Sequence, residues 1–438
     1  VRTVAIVGAG TAGCVVARRL IDVFRDGPDT PRIVVIERGG LNPHHDDADF
    51  MTSLTSDAVT HVDAMVTNDK ARDHYLYLQG RCVGGGGAVN GMVASPLYEE
   101  DFAEWRDLHG CSDWDPQKLL TCADDLFPAI PLAGDNVGVV GRAVMSAGGH
   151  AAHLTRSDHR VSGATVIAHA VASGAVEIIT ANATSVVIEN NVVRTVVTSS
   201  GKVPVDVVIL AAGAVLTPLL LRQSGVVHDE IGQRAQDHPS IFFTVARPHG
   251  FVGGVNATAV HSMGDTQLIA YESAHPSTPM FGGVSLSMLR VTSRGEVLGT
   301  LQSPQLQLRL LSNDKDRALM RSAVRDFVRE YVPVIERDCG SVLCDALGTP
   351  AQHLATLNDP SLDAWLLAHV VPHSHIAGTC AMGGGPDAPV TQRGQVRGAR
   401  GLYVADASVF PQLPRSNTNK VVAAVASQIA HFVAEDLS

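Results

Sequence analysis

The sequence predicts an α/β protein in which a parallel sheet flanked by helices is joined to a second region built on an antiparallel sheet. Three stretches carry that expectation. Residues 3 to 37 run strand, glycine loop, helix, strand, and VDVVILAAG at 205 to 213 is an almost unbroken apolar run, as in strands covered on both faces. Between about 240 and 310 the β-rich segments IFFTVA, QLIAYE, GGVSLSMLRV and PQLQLRLL follow one another.

Taken in order, Thr3 to Val7 reads as the first strand, GAGTAG (8 to 13) as a loop and the residues through about Val23 as a helix. A Gly/Pro/Asp linker leads to the strand IVVIE (33 to 37), completing one βαβ unit. From 40 to 80 the periodicity weakens, with HHDDAD at 44 to 49, and a loop or extended arm is expected. GRCVGGGGAVNG (80 to 91) is a glycine-dense loop, and 99 to 127 look helical, carrying Trp105 and Trp114. Strands VEIIT, SVVIE, VVRTVVT and the apolar run follow from 176 onward, and a charged helix is expected at 313 to 337. The chain closes with GLYVADAS (401 to 408), a proline-containing turn and an amphipathic helix from about Asn419 to Glu435, with Val421, Val422, Val425, Ile429 and Phe432 on one side.

Bulk properties narrow the function classes. With 33 basic against 44 acidic residues the net charge is −11, which argues against a surface built to grip phosphate backbones, so no nucleic-acid partner is expected. A chain of 438 residues suits two or three domains, some of them discontinuous, with room to bury a large cofactor. The seven cysteines form no CxxC pair, and the chain opens on a strand rather than a secretory signal; a reducing, cytoplasmic setting is expected. The longest apolar run, 207 to 221, is broken by Gly213 and Pro218, so no integral membrane segment is expected.

In GAGTAG, Gly8 permits a tight turn, Gly10 lets the backbone approach a pyrophosphate and Gly13 lets the helix pack on its strand, with Thr11 and Ala12 at the helix start that supplies N–H donors. Glu37 closes the next strand where a carboxylate can accept ribose hydroxyls. This is a dinucleotide-binding arrangement, although it does not separate FAD from NAD, and Arg38 leaves a small opening for NADP.

Further motifs separate them. GRCVGGGGAVNGM followed by DFAEW, GAVLTPLLLRQSGV (213 to 226), GQRAQDHP (232 to 239), and the pair HIAGTCAMG with LYVADASVFPQLPRSNTNKVV together resemble, in family order, the glucose-methanol-choline (GMC) family of FAD-dependent oxidoreductases. The sequence departs from the family at Val227, where a glycine is usual, and is short for it. The resemblance implies a glucose-oxidase-like architecture: a discontinuous Rossmann-like FAD-binding domain from 1–95, 150–235 and 370–438, and an α+β substrate-binding domain from 96–149 and 236–369 with a six-stranded antiparallel sheet. It also implies oxidation of a small-molecule alcohol, with oxygen or a redox carrier as electron acceptor.

By the same resemblance, His375 of the H-x-x-G-T pattern is the base and Asn417 the co-orienting amide, with N-capping of the last helix as that asparagine's simpler role. His373 falls on the same side if the segment is extended; no matching third ligand is evident, so no metal is expected. Arg81, Gly85, Gly86, Asn90, Gly91, Met92 and Val93 in the second glycine loop, Ser185, Ala212, Gly213, Asp406, Ala407 and Thr418 are expected along the cofactor. Val89 stands where some members attach FAD through a histidine, so non-covalent FAD is expected; Cys82 reads as a small buried residue and His238 as structural or part of the substrate domain. Two alternatives stay open: a dehydrogenase passing electrons to a quinone or a mycofactocin-linked carrier, as in compact actinobacterial members to which the chain is also similar, and a flavin-retaining lyase or isomerase.

Overall fold

The computed structural model describes residues 2–25, 27, 30–42, 50–68, 75–131, 137–153, 155–156, 159–247, 256–274 and 280–438. The strand Thr3–Val7 lies at the centre of a five-stranded, wholly parallel sheet, flanked by Arg32–Glu37 and then Val176–Thr180 on one side and by Val207–Leu210 and then Leu402–Val404 on the other. These strands come from four distant parts of the chain. The apolar run supplies the wholly buried strand Val207–Leu210, as a strand covered on both faces should be.

The two outer glycines of the first loop do what the sequence assigns them. Gly8 has φ +102, and a Cβ on Gly13 would lie 1.9 Å from the Gly8 carbonyl oxygen, so the helix Thr11–Phe24 can sit on its strand only without that atom. The last helix, Thr418–Leu437, packs beside it. Val421, Val425, Ile429 and Phe432 are buried as expected, but so are Ala423, Ala424, Ala426 and Ala430. The helix is covered nearly all round rather than on one stripe, because it lies between the first helix and Pro116–Leu126.

Five β segments take places the sequence does not indicate. SVVIE and VVRTVVT form an antiparallel meander with Gly201–Pro204 outside the parallel sheet. The expected arm between 40 and 80 contains the hairpin strands Val59–Met65 and Tyr75–Gly80, whereas HHDDAD lies outside the described residues. PQLQ, at Pro304–Gln307, leaves the antiparallel sheet to which it was assigned and pairs in parallel with Val59–Met65. The alternation in HVDA, with Val62 and Ala64 buried between exposed His61 and Asp63, is genuine but too short to be read unaided.

The six-stranded sheet is present: Ala257–Met263, Thr266–Tyr271, Phe281–Met288 and Pro239–Ala246 in spatial order, with the short strands Leu343–Cys344 and Val371–Pro372 sharing the far side of Pro239–Ala246. The charged helix Asp314–Asp326 continues through a π turn into Val332–Cys339, and Phe327 packs at a tilt against Phe243 with ring centroids 5.0 Å apart. The strand Val371–Pro372 matters most for the site. Its pairing with Pro239 and Ser240 sets the segment 373–376 directly beside His238.

The helical stretch at 99 to 127 is two helices, Glu99–His109 and Pro116–Leu126, divided at Gly110 (φ +69) and restarted by the Asp115 side chain, which accepts from the N–H groups of residues 117 and 118. Trp105 ties them to the C-terminal segment: its ring meets Phe102, Trp114 and Phe410, and its indole N–H donates to the Gln412 carbonyl at 2.9 Å. Among the described residues no helix is long and apolar enough to cross a membrane. Trp105→Ala is expected to cost about 3–5 kcal/mol, read as a lowered midpoint in denaturant unfolding.

Candidate active site

A cavity of about 950 Å³ runs from the C-terminal ends of the parallel strands, under the second glycine loop, to one face of the antiparallel sheet. That is near the upper end for small-molecule sites. It is lined by Gly8, Gly10, Thr11, Ala12, Glu37, Gly85, Gly86, Asn90, Gly91, Met92, Val93, Ala212, Gly213, Asp406, Ala407, Asn417, Thr418 and His375. Three expected residues do not line it. Gly13 is spent on helix packing, Arg81 is exposed, and Ser185 is replaced at the wall by Ala183 and Thr184, where the pairing of the strand is irregular between Ala183 and Ser185.

The half of the cavity nearest the parallel sheet is a backbone cradle. Glu37 accepts the Ala9 N–H at 2.8 Å through one oxygen and the Gly39 N–H at 2.8 Å through the other. Burial pushes its pKa up, and these donors and Arg38 pull it back. The Gly84 N–H donates to the Ala9 carbonyl at 2.7 Å, which stitches the second glycine loop onto the first. A Cβ on Gly85 would stand 2.6 Å from the Gly10 Cα, and one on Gly87 would stand 2.7 Å from the Thr11 hydroxyl, which itself donates to Asn419 Oδ1 at 2.7 Å. Asp406 clasps rather than reaches: it accepts from Gly213 N–H (2.8 Å), the Thr217 hydroxyl (2.6 Å) and Ser408 N–H (2.9 Å).

Asn417 occupies the N-cap position of the last helix without capping it. Its own N–H donates to the Ser95 hydroxyl at 2.8 Å, and its side-chain Oδ1 is buried with no partner, as is Asn419 Nδ2. Unspent amide groups at a helix start, facing a cavity whose walls exclude Cβ atoms, fit a large planar group that accepts and donates hydrogen bonds. The residues therefore fit FAD.

At the other end three histidines converge. His375 Nδ1 lies 2.9 Å from His238 Nδ1, His238 Nε2 lies 3.1 Å from the Pro414 carbonyl oxygen, and the His373 ring stands edge-on to His375 with centroids 4.5 Å apart. His373 does share a side with His375, but through left-handed Ser374 (φ +62) rather than a simple extended segment. Burial drives all three imidazoles toward the neutral form, to about 4 for His373, about 3 for His238 and well below 6.5 for His375. The nitrogens lie within 4.8 Å of one another, so His238 is the third potential ligand that the sequence did not reveal. Its Nδ1 faces that of His375 at hydrogen-bond distance and its Nε2 faces a carbonyl, so these two rings form a hydrogen-bonded chain, while the buried Nδ1 of His373 has no partner.

Behind the chain, the Tyr77 hydroxyl donates to Asp237 Oδ2 at 2.6 Å and accepts the Ile376 N–H at 3.0 Å, while Asp237 Oδ1 accepts the His375 N–H at 3.0 Å. Burial pushes Asp237 up to about 7 against these donors. Tyr77, Asp237 and Ser95 were missed from sequence. Asp237 and His238 lie in the QDHP motif, where the sequence assigns His238 a structural or substrate-domain role and Asp237 none; Tyr77 lies where periodicity is weak and carries no signal.

A doubly anchored glycine cradle on a parallel sheet, opening onto a neutral histidine, defines a dinucleotide-dependent oxidoreductase. The chain belongs to the GMC oxidoreductase family: the family's N-terminal model matches residues 3–159 and 141–240 and its C-terminal model 290–426. It is therefore an FAD-dependent flavoprotein of the GMC type. It is 25% identical to 5-(hydroxymethyl)furfural oxidase of Methylovorus sp., over 98% of each chain, and 26% identical to an uncharacterized GMC-type oxidoreductase of Mycobacterium tuberculosis, over 97% of this chain and 74% of that one. A match to dehydrogenase pkfF of Emericella nidulans, at 28% identity, covers 42% of this chain and only 28% of that protein's length. The fold is shared with pyridoxine 4-oxidase from Mesorbium loti (TM-score 0.82, 21% identity, 98% and 99% coverage) and with formate oxidase (TM-score 0.83, 19% identity, 100% and 99%).

Gly85 has φ +53, where an L side chain costs about 1–2 kcal/mol in addition to the contact with Gly10. Gly85→Ala is expected to weaken cofactor retention by about 10-fold or more, measured as the ratio of visible flavin to protein absorbance after dialysis.

Proposed function

We propose that the chain oxidises a small, uncharged alcohol, with His375 taking the hydroxyl proton and Asn417 holding the oxygen. The observation that carries the reading is that a neutral histidine and an unspent asparagine amide line one cavity, where the cradle meets the antiparallel sheet. Bound FAD supplies the hydride acceptor. Gly10 to Ala12 would face its pyrophosphate, Glu37 its adenosine ribose, and the helix start at Asn417 to Asn419 the flavin edge where negative charge grows on reduction. Val89 offers no nucleophile in the second glycine loop, which supports non-covalent attachment.

His375 is suited to the task because its ring enters the reaction neutral and is held from two sides, by Asp237 on its backbone and by His238 on its ring. Asn417 can donate to the alkoxide oxygen without competing for the proton. The substrate end supports an apolar group on the alcohol: Phe242 and Tyr271 line it with ring centroids 5.6 Å apart, beside Ile269, Val371 and Pro372. Phe243, next to Phe242 in the strand, is buried against Phe327 instead. Seven unpaired thiols support a reducing, cytoplasmic setting.

In stopped-flow mixing without oxygen, His375→Ala is expected to keep its flavin and reduce it about 10²-fold or more slowly; wild-type kinetics would remove His375 from the chemistry. A lyase or isomerase would turn over without bleaching the flavin. Reoxidation of the reduced protein by air or only by a quinone then tells oxidase from dehydrogenase.

The pH profile follows from the sign of the shift. A histidine pKa held below its ordinary 6.5 keeps the base form at lower pH, so kcat/KM should stay flat as pH falls past 6.5 and drop only on further acidification through the lowered value. An acid limb centred above 6.5 would contradict the assignment.

A further inference from the structure

We propose that His238 is a positioning residue that fixes His375 as the Nδ1–H tautomer and so leaves Nε2 of His375 bare as the base. The inference rests on the alcohol oxidation proposed above and gives His238 a role in that chemistry.

The argument is one of donors and acceptors. A peptide carbonyl only accepts, so the 3.1 Å contact between His238 Nε2 and the Pro414 oxygen requires the proton on Nε2. A neutral imidazole carries one N–H, so His238 Nδ1 is then a lone pair. His375 Nδ1 faces that lone pair at 2.9 Å and must donate to it, which leaves the proton off His375 Nε2. The surroundings keep His238 neutral: it is fully buried, Asp237 turns its carboxylate to Tyr77 and to backbone N–H groups, and the groups beside the ring are His373, His375 and the carbonyls of Pro414 and Leu289. Were His238 doubly protonated, His375 Nδ1 would have to accept, and Nε2 would carry a proton toward the substrate.

Two consequences separate this from a packing role. The chain ends on a carbonyl, which cannot pass a proton on, so it orients the ring without conducting; the proton taken by His375 must leave through the cavity. The tautomer, not merely ring placement, is what the contact sets, and a catalytic histidine in the wrong tautomer can cost about 10⁴-fold.

The test uses the FAD-loaded protein. With ¹⁵N-labelled histidine at pH 8, the wild type is expected to show His375 protonated at Nδ1 and bare at Nε2, and His238 the reverse. His238→Phe should shift His375 toward the Nε2–H form and slow anaerobic flavin reduction by about 10- to 10³-fold at unchanged flavin content. His238→Gln, whose amide can both accept from His375 and donate to Pro414, should recover most of the rate. An Nε2–H signal for His375 in the wild type overturns the proposal, and so does a His238→Phe protein that reduces flavin at the wild-type rate. If His238→Phe does not fold, the wild-type spectrum decides alone. The reading beneath it fails separately: a normal rate in His375→Ala would sink the base, whereas a slow His375→Ala beside a normal His238→Phe would sink only the tautomer.

Discussion

The hydrogen bond from Thr11 to Asn419 joins two helix starts that lie 408 residues apart in the chain, and the site exists only where they meet. The first helix start belongs to the glycine loop after the opening strand; the second presents Asn417. They meet because Leu402–Val404 returns to pair with Val207–Leu210, which pairs with Thr3–Val7. Once that strand is placed, the turn at Asp406 and the last helix have one path, against the first helix. The late position of His375 in the sequence is a consequence of the same return.

Buried carboxylates do the holding. Glu37 fixes the first glycine loop to the end of its strand, Asp406 fixes the helix start at Gly213 to the C-terminal turn, and Asp237 fixes the backbone of His375 to the hairpin that carries Tyr77. Each accepts two or more N–H or O–H groups. Leaving one of those groups unpaired in the interior would cost about 1–3 kcal/mol, so each clasp is worth more to geometry than a surface ion pair would be. With these acids occupied in this way, the bases that line the cavity are imidazoles, His375 and His373.

How much of this was legible depends on whether the information was local. Gly8, Gly10, Glu37 and the 80–91 loop could be placed because a dinucleotide cradle needs those residue types at those spacings, and His375 and Asn417 because their motifs resemble a family pattern. Gly13 packs the first helix onto its strand and does not reach the cavity. Ser185 misses the wall that Ala183 and Thr184 form, because the strand's pairing is irregular between Ala183 and Ser185, and no local pattern announces that irregularity. Tyr77 and Ser95 contribute through contacts that no spacing encodes, because Tyr77 meets Asp237 across 160 residues and Ser95 meets Asn417 across 322.

His238 shows a different limit. Nothing in the four letters of QDHP says which ring nitrogen faces which atom, so the motif alone separates no structural histidine from a positioning one. The distinction between a structural and a positioning histidine lies in two contacts, one to a group that only accepts and one to the ring that must act. A buried imidazole has a single proton to place, so fixing one end of the pair fixes the other. On the proposed reading, chemistry that sequence patterns assign to His375 alone is shared with a residue 137 positions earlier, and the direction of that sharing is set by a proline carbonyl that takes no part in the reaction.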